Sequence, residues 1–204
     1  YKPASLERRV QKRIQSLGLA DYADYLDYLE VHPEEYEILF NTILINVTAF
    51  FRDTATWEFL QREALPQLLE RRRDGGPIRV WSAGCASGEE AYTLAMIFAE
   101  ALGPKLYRER VKIYATDIDE EALVRARQAT YEAKEVEGVP PALLGKYFEE
   151  SGGPFVFRQE FRRNVIFGRH NLMQDAPISR VDLLSCRNTL MYFNAETQAR
   201  ILNR

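Results

Sequence analysis

The sequence predicts an α/β fold, with a small all-helical domain over residues 1–70 and a Rossmann-like domain over residues 71–204. Three observations predict it. Apolar residues recur at helical spacing alone as far as about Leu69, and strand and helix periods alternate beyond Pro77. Between them, Ile78-Arg-Val-Trp-Ser-Ala-Gly-Cys-Ala-Ser-Gly-Glu-Glu90 reads as a buried strand, a turn of small residues and a helix start, the core of a mononucleotide-binding unit.

Leu6, Val10, Ile14 and Leu17 mark a first helix that Gly18 stops. Tyr22, Tyr25, Leu26 and Leu29 mark a second, ending before Pro33. Tyr36, Leu39, Phe40, Ile43 and Leu44 mark a third. Trp57, Leu60, Leu65, Leu68 and Leu69 mark a fourth, interrupted near Pro66, and Arg71 to Pro77 is a breaker-rich turn. The alternating part then reads as strand Ile78–Ser82, helix Glu89–Ala101, strand Val111–Ala115 and helix Glu120–Gln128. A helical patch at Pro141–Phe148, a turn at Gly152-Gly153-Pro154 and a short strand at Phe155–Arg158 follow. Strands Val165–Phe167 and Val181–Ser185 and a helix from Ala195 complete the pattern.

Composition narrows the function classes. Of 204 residues, 46% are hydrophobic and 28% charged, as in compact globular domains, and the net charge of −3 offers no basic field for nucleic acid. Two distant cysteines, Cys85 and Cys186, exclude a disulfide framework and fit a reducing compartment. His32 and His170 build no metal site. No apolar run reaches the ~18 residues of a membrane span and no signal pattern opens the chain, so it reads as cytoplasmic.

The glycine turn also selects its ligand. It holds no Gly-Lys-Ser/Thr for a triphosphate and no Gly-x-Gly-x-x-Gly for a dinucleotide. Glu89 and Glu90 would occupy the positive end of their own helix, against an anion there. A cationic or zwitterionic nucleoside fits better, and S-adenosylmethionine is the obvious candidate.

Four motifs in register carry a specific resemblance. Asn46-Val-Thr-Ala-Phe-Phe-Arg-Asp53, Gly84-Cys-Ala-Ser-Gly-Glu-Glu90, Ala115-Thr-Asp-Ile-Asp119 and Cys186-Arg-Asn-Thr-Leu-Met-Tyr-Phe193 resemble the signatures of the CheR family, the chemotaxis-receptor protein-glutamate O-methyltransferases. The resemblance covers nearly the whole chain. Around Ile166 to Leu172 and Ile178 to Asp182 the wording is similar to CheR domains of hybrid signalling proteins. It implies S-adenosylmethionine as cofactor, S-adenosylhomocysteine as product and methyl-accepting receptors as partners. The implied fold is a class I methyltransferase domain with a small antiparallel β insertion at about residues 150–165.

Roles can then be placed beside their plainer alternatives. Asp117 follows a strand, where it would accept hydrogen bonds from ribose hydroxyls; otherwise it caps the next helix, although Asp119 fits that cap better. Glu90 would bind the methionyl ammonium or favour its own helix dipole, and Glu89 is expected to face solvent. The resemblance makes Asn46, Thr48 and Arg52 cofactor-site residues. Phe50 and Phe51 could seat Arg52 in a dry cleft, gripping either the methionyl carboxylate or the incoming glutamate. Asn171 and Leu172 would contact adenine, and Asn188 and the backbone near Arg187 the amino-acid end, capping being the alternative for Asn188. Tyr192, at helical spacing from Asn188, would orient the target carboxylate or be a core aromatic. Arg52 and Tyr192 are therefore the catalytic candidates. Cys186 is expected to be inert.

Arg8, Arg9, Lys12 and Arg13 read as a solvated face or, by resemblance, as a dock for acidic receptor helices. Whether a receptor pentapeptide binds near Phe155–Phe167 stays open. Compared with the family pattern, the chain starts inside the second N-terminal helix and stops after the fourth main strand, so an excerpt with truncated C-terminal strands and partial activity is expected. Two other functions remain: an S-adenosylmethionine-binding regulatory module without turnover, and a Rossmann methyltransferase acting on another carboxylate.

Overall fold

A computed structural model describes residues 3–43 and 48–203. In chain order come α1 (Pro3–Ser16), α2 (Tyr22–Val31), α3 (Glu35–Ile43), α4 (Thr54–Phe59), a π-helical segment (Leu60–Ala64) and α5 (Leu65–Arg71). Next are β1 (Ile78–Ala83), α6 (Glu89–Leu102), α7 (Pro104–Arg110), β2 (Val111–Asp117) and α8 (Glu120–Gln128). Then follow β3 (Thr130–Tyr131), α9 (Pro141–Tyr147), β4 (Phe148–Glu150), β5 (Phe155–Phe157) and α10 (Gln159–Arg162). Last are β6 (Val165–Arg169), β7 (Leu183–Ser185), a 3₁₀ turn (Leu190–Tyr192) and α11 (Ala195–Leu202). Among the described residues no helix is long and apolar enough to cross a membrane.

The chain forms two compact units, residues 1–46 with 188–204 and residues 47–187. In the first, Ile14, Tyr25 and Leu29 form a small core against which Val10, Leu17, Tyr28 and Leu39 pack. Asp21 caps α2, accepting from Ala23 N–H at 2.8 Å and Asp24 N–H at 3.1 Å, as a short side-chain oxygen at a helix start does. Asn194 caps α11 in the same way through Thr197 N–H.

A charged pair lies inside this unit. Arg13 Nε and Nη2 donate to Glu35 Oε1 and Oε2 at 2.8 and 2.7 Å, and Tyr25 Oη donates to Oε1 at 2.8 Å. The guanidinium holds the Glu35 carboxyl below its ordinary range, while burial, then the carboxylate, pushes the Tyr25 phenol up to about 12. A depressed folded-state pKa stabilises above the unfolded pKa of about 4.3 and loses that stabilisation as pH falls through the folded value. Glu35→Gln should therefore lower amide-exchange protection in α1–α3 by about 1–3 kcal/mol at pH 7, the difference from wild type closing in acid. A gap independent of pH would contradict this.

The helix expected to close the helical domain belongs instead to the second unit, because the two units divide between Asn46 and Val47. The expected interruption at Pro66 takes a defined form. Proline has no N–H to donate, and the chain widens to a π turn just before it, Leu65 N–H reaching back to Leu60 O.

The second unit is a four-stranded, all-parallel sheet in the order β6-β2-β1-β7. Its central strand β1 is buried at Ile78, Val80, Trp81, Ser82 and Ala83, and every residue of α6 from Glu89 to Ala99 is buried too. A helix apolar all round belongs in a core, and this one packs across β2 and β6. The charged stretch near Lys105–Arg110 forms α7, held by Tyr107, whose buried hydroxyl donates to Phe161 O at 3.0 Å. Asn164 Nδ2 donates to Val111 O at 2.6 Å and Arg108 O at 3.0 Å, closing the turn into β2. β7 starts at Leu183, two residues later than the periodicity suggests; just before it, the Asp182 carboxylate accepts from Arg72 and from Arg79 N–H.

A second, antiparallel sheet has the order β3-β5-β4. Phe148 pairs with Phe157 and Glu150 with Phe155 across the Gly152-Gly153 turn, where Ser151 N–H donates to Pro154 O at 2.8 Å. This sheet begins at Thr130, earlier than the expected insertion at about residue 150, because β3 and β4 are too short to show a period.

Candidate functional site

Parallel strands bring their carboxyl ends to one edge of a sheet, where open α/β folds bind ligands. Here Ala83 lies beside Thr116, Asp117 beside Arg169, and Ser82 beside Ser185. The small-residue turn is tied to that edge by Gly84 and Cys85 N–H groups, which donate to Thr116 O at 2.7 and 3.0 Å.

Asp117 is built into the turn. Its Oδ2 accepts from Ala86 N–H at 2.8 Å and its Oδ1 from Asp119 N–H at 3.0 Å. Asp119 caps α8 through Ala122 N–H, so Asp117 is not the capping residue. Burial pushes the Asp117 carboxyl above its ordinary range, only partly offset by those backbone donors. His170 N–H donates to Asp117 O at 2.8 Å, which brings Asn171 and Leu172 beside it at the end of the neighbouring strand. Asn171 Oδ1 is taken by Met173 N–H at 2.9 Å, leaving its amide NH₂ as the group suited to read a base.

Glu90 lies in the first turn of α6, almost wholly buried, with Ser82 Oγ donating to Oε1 at 2.8 Å. Arg187 Nη1 approaches Oε2 at 3.4 Å. Burial raises the Glu90 carboxyl, and these donors oppose the rise. Glu89 corrects an expectation: it is buried, not solvent-facing, and takes hydrogen bonds from Ser87 Oγ at 2.8 and 3.0 Å. Its helix is central, so no face of the first turn reaches water, and a local hydroxyl satisfies the carboxylate instead. Gly88 has φ +96°, and a Cβ there would come 3.0 Å from Ala126 Cβ and 3.3 Å from Phe167 Cζ, so packing of α8 and β6 demands this glycine.

Of the first motif, Asn46 lies outside the described residues and Thr48 is half-buried. Phe50 is buried edge-on to Tyr131 and Phe148, at ring distances of 4.9 and 5.4 Å. It seats the loop against the small sheet. Phe51 N–H donates to Thr93 Oγ1 at 3.2 Å. Arg52 contributes its carbonyl, which accepts from Trp57 Nε1 at 2.7 Å and Arg187 Nη2 at 2.6 Å. Arg187 Nη2 also donates to Asp53 Oδ2 at 2.8 Å, and its guanidinium stacks over Trp57 at 4.6 Å.

The Arg187 side chain, not only the backbone near it, is thus held at this edge. Ser82, Trp57 and Asp53 escaped sequence reading: Trp57 looked like a core marker and Ser82 like a strand residue. Asn188, with φ +56°, and Tyr192, in the 3₁₀ turn, belong to the other compact unit. Burial pushes the Cys186 thiol up to about 11 and the Cys85 thiol well above its ordinary range, so neither is a thiolate at neutral pH. Among the described residues no group of His, Cys, Asp and Glu could hold a metal.

On α1 the four expected cations separate. Arg8 and Lys12 are exposed, Arg9 Nη1 donates to Thr42 O at 2.9 Å, and Arg13 is committed to Glu35.

Comparison with known proteins fits this geometry. The family described as CheR methyltransferase, SAM binding domain matches residues 46–204, and CheR methyltransferase, all-alpha domain matches residues 1–44. A chemotaxis protein methyltransferase of Escherichia coli K12 is 36% identical over 212 aligned residues, spanning all of this chain and 71% of that protein. One from Listeria monocytogenes is 34% identical over 196 residues, 96% of this chain and 72% of its own. An uncharacterised 104.1 kDa protein of Rhodobacter capsulatus is 38% identical over the whole chain, which spans only 21% of it.

Proposed function

This chain belongs to the CheR methyltransferase family, with S-adenosylmethionine as methyl donor, and from that premise we propose that it methylates glutamate side-chain carboxylates of chemotaxis receptors to form methyl esters. The observation that carries the reading is the gathering of Asp117, Asn171, Glu90 and Arg187 at the strand-end edge. This donor set suits the cofactor. Asp117 keeps acceptor capacity for two ribose hydroxyls and Asn171 has an amide for adenine, with Leu172 as its apolar neighbour. Glu90 offers a carboxylate to an ammonium, and Arg187 a guanidinium to a carboxylate. Nothing in the turn is arranged for phosphate.

When bound, S-adenosylmethionine supplies a methyl group on a positively charged sulfur. A glutamate with a pKa near ~4.3 is already ionised at neutral pH, so this chain needs no general base and none is proposed. The residues bind, orient and exclude water, which supply large rate factors by themselves. Arg52 and Tyr192 are the groups proposed to hold the target carboxylate, Arg52 serving alternatively the cofactor's own carboxylate. Thr48, Asn46 and Asn188 are assigned to the cofactor by the family pattern. For receptor docking the proposal narrows to Arg8 and Lys12, since Arg13 is used internally.

The test is methyl transfer from labelled S-adenosylmethionine to receptor cytoplasmic fragments. Label released as methanol by mild base is expected, and Arg8→Glu with Lys12→Glu should slow transfer without weakening cofactor binding. Base-stable label would move the acceptor away from glutamate, and binding without transfer would make the chain a regulatory module.

A further inference from the structure

The Arg187–Glu90 contact is long for a pair of opposite charges. Charge-assisted N–H···O bonds lie near 2.7–2.9 Å, whereas Arg187 Nη1 stands 3.4 Å from Glu90 Oε2. Its other contacts account for the difference. Nη2 bonds to Arg52 O at 2.6 Å and Asp53 Oδ2 at 2.8 Å, and the guanidinium lies 4.6 Å from the Trp57 ring centre. The side chain is only 17% exposed, so it has little freedom to turn.

Arg52 and Asp53 sit on a firmly held loop that leads into α4, which carries Trp57. Phe51 and Asp53 have φ of +51° and +59°, a backbone region that is strained for non-glycine residues and persists only when packing enforces it. The enforcement is visible. Phe50 is buried against Tyr131 and Phe148, Phe51 N–H is bound to Thr93, and Gly138 passes so close that a Cβ would lie 2.6 Å from Phe50 O. Trp57 Nε1 closes the loop on Arg52 O.

We propose that Asp53 and Trp57 are positioning residues that hold the Arg187 guanidinium back from Glu90, in the orientation in which the two charges meet the zwitterionic amino-acid end of the cofactor. Released from Asp53 and Trp57, Arg187 would close the short gap, pair fully with Glu90 and remove both the acceptor for an ammonium and the donor for a carboxylate. The latch therefore acts on one end of the ligand and leaves the adenosine contacts of Asp117 and Asn171 alone. Trp57 suits this role because its ring face attracts a cation while its N–H fixes the carbonyl that the same cation uses.

The inference rests on the proposed S-adenosylmethionine site, and two ligands separate the two claims. S-adenosylhomocysteine carries the amino-acid end; 5′-methylthioadenosine has the adenosine and no amino acid. Calorimetric titration of the chain with each should show Asp53→Asn and Trp57→Leu weakening S-adenosylhomocysteine by roughly tenfold, the scale of one charged hydrogen bond, with methylthioadenosine roughly unchanged. Trp57→Phe, which keeps a ring beneath the guanidinium, should recover most of the lost preference. Equal weakening of both ligands, or an unchanged ratio in either variant, overturns the latch. Failure of the wild-type chain to bind either ligand overturns the functional reading, and the latch with it.

Discussion

If Asp117 holds the ribose as proposed, Asp117→Ala should weaken S-adenosylhomocysteine binding by at least about two orders of magnitude, because two ribose hydroxyls would lose a charged acceptor worth about 1.5–3 kcal/mol each. Backbone donors fix the position of this carboxylate. Ala86 N–H and Asp119 N–H hold its two oxygens at the end of β2, each oxygen keeping further acceptor capacity. Those donors also stabilise the turn, so the variant's thermal midpoint must be followed in parallel. Burial raises the Asp117 pKa, so the carboxyl takes up a proton at higher pH than an ordinary aspartate. Affinity should therefore begin to fall in mild acid in the wild type and be insensitive to that range in the variant. A loss below about threefold, with the fold intact, would remove Asp117 from the ribose site, since even one charged hydrogen bond is worth more.

Gly88→Ala should destabilise the sheet-containing unit by about 2–4 kcal/mol, combining a left-handed alanine with overpacking. At φ +96° an L-residue is strained whatever the space around it, and here the new Cβ would lie 3.0 Å from Ala126 Cβ and 3.3 Å from Ala126 Cα. Ala126 cannot easily yield, because its carbonyl accepts the buried Tyr92 hydroxyl at 2.8 Å. Urea denaturation followed by hydrogen exchange in β1, β2 and α6 would measure the change. Gly145→Ala is the control. It lies in α9, where an added Cβ would meet no atom within 4 Å, and should be neutral or stabilising by up to about 1 kcal/mol. Comparable losses at both positions would show that the close approach at Gly88 is not what matters.

Much of the frame was legible because its signals are local. The β1 run, the glycine turn and the Glu89 helix start are encoded in adjacent residues, and α8 spans Glu120–Gln128 as its period and Asp119 cap imply. Elements with no room for a period were missed: β3 has two residues, β4 follows α9 directly, and α7 has only seven residues. The position of the unit boundary was not legible either, since α4 and α5 have the same helical spacing as α1–α3 and only contacts assign them.

By itself, then, the order of residues determined the element types, the strand-end motifs and the kinship with methyl-transferring enzymes, because short-range periodicity and turn chemistry are properties of neighbours in the chain. Only the tertiary structure decided what each charge does. Arg13 serves Glu35 on another helix, Glu89 is enclosed with Ser87, and Arg187 is shared among Asp53, Trp57 and Glu90. A charged side chain is read alike in water or in a core until folding sets its partners and its solvent, and those partners come from distant parts of the sequence.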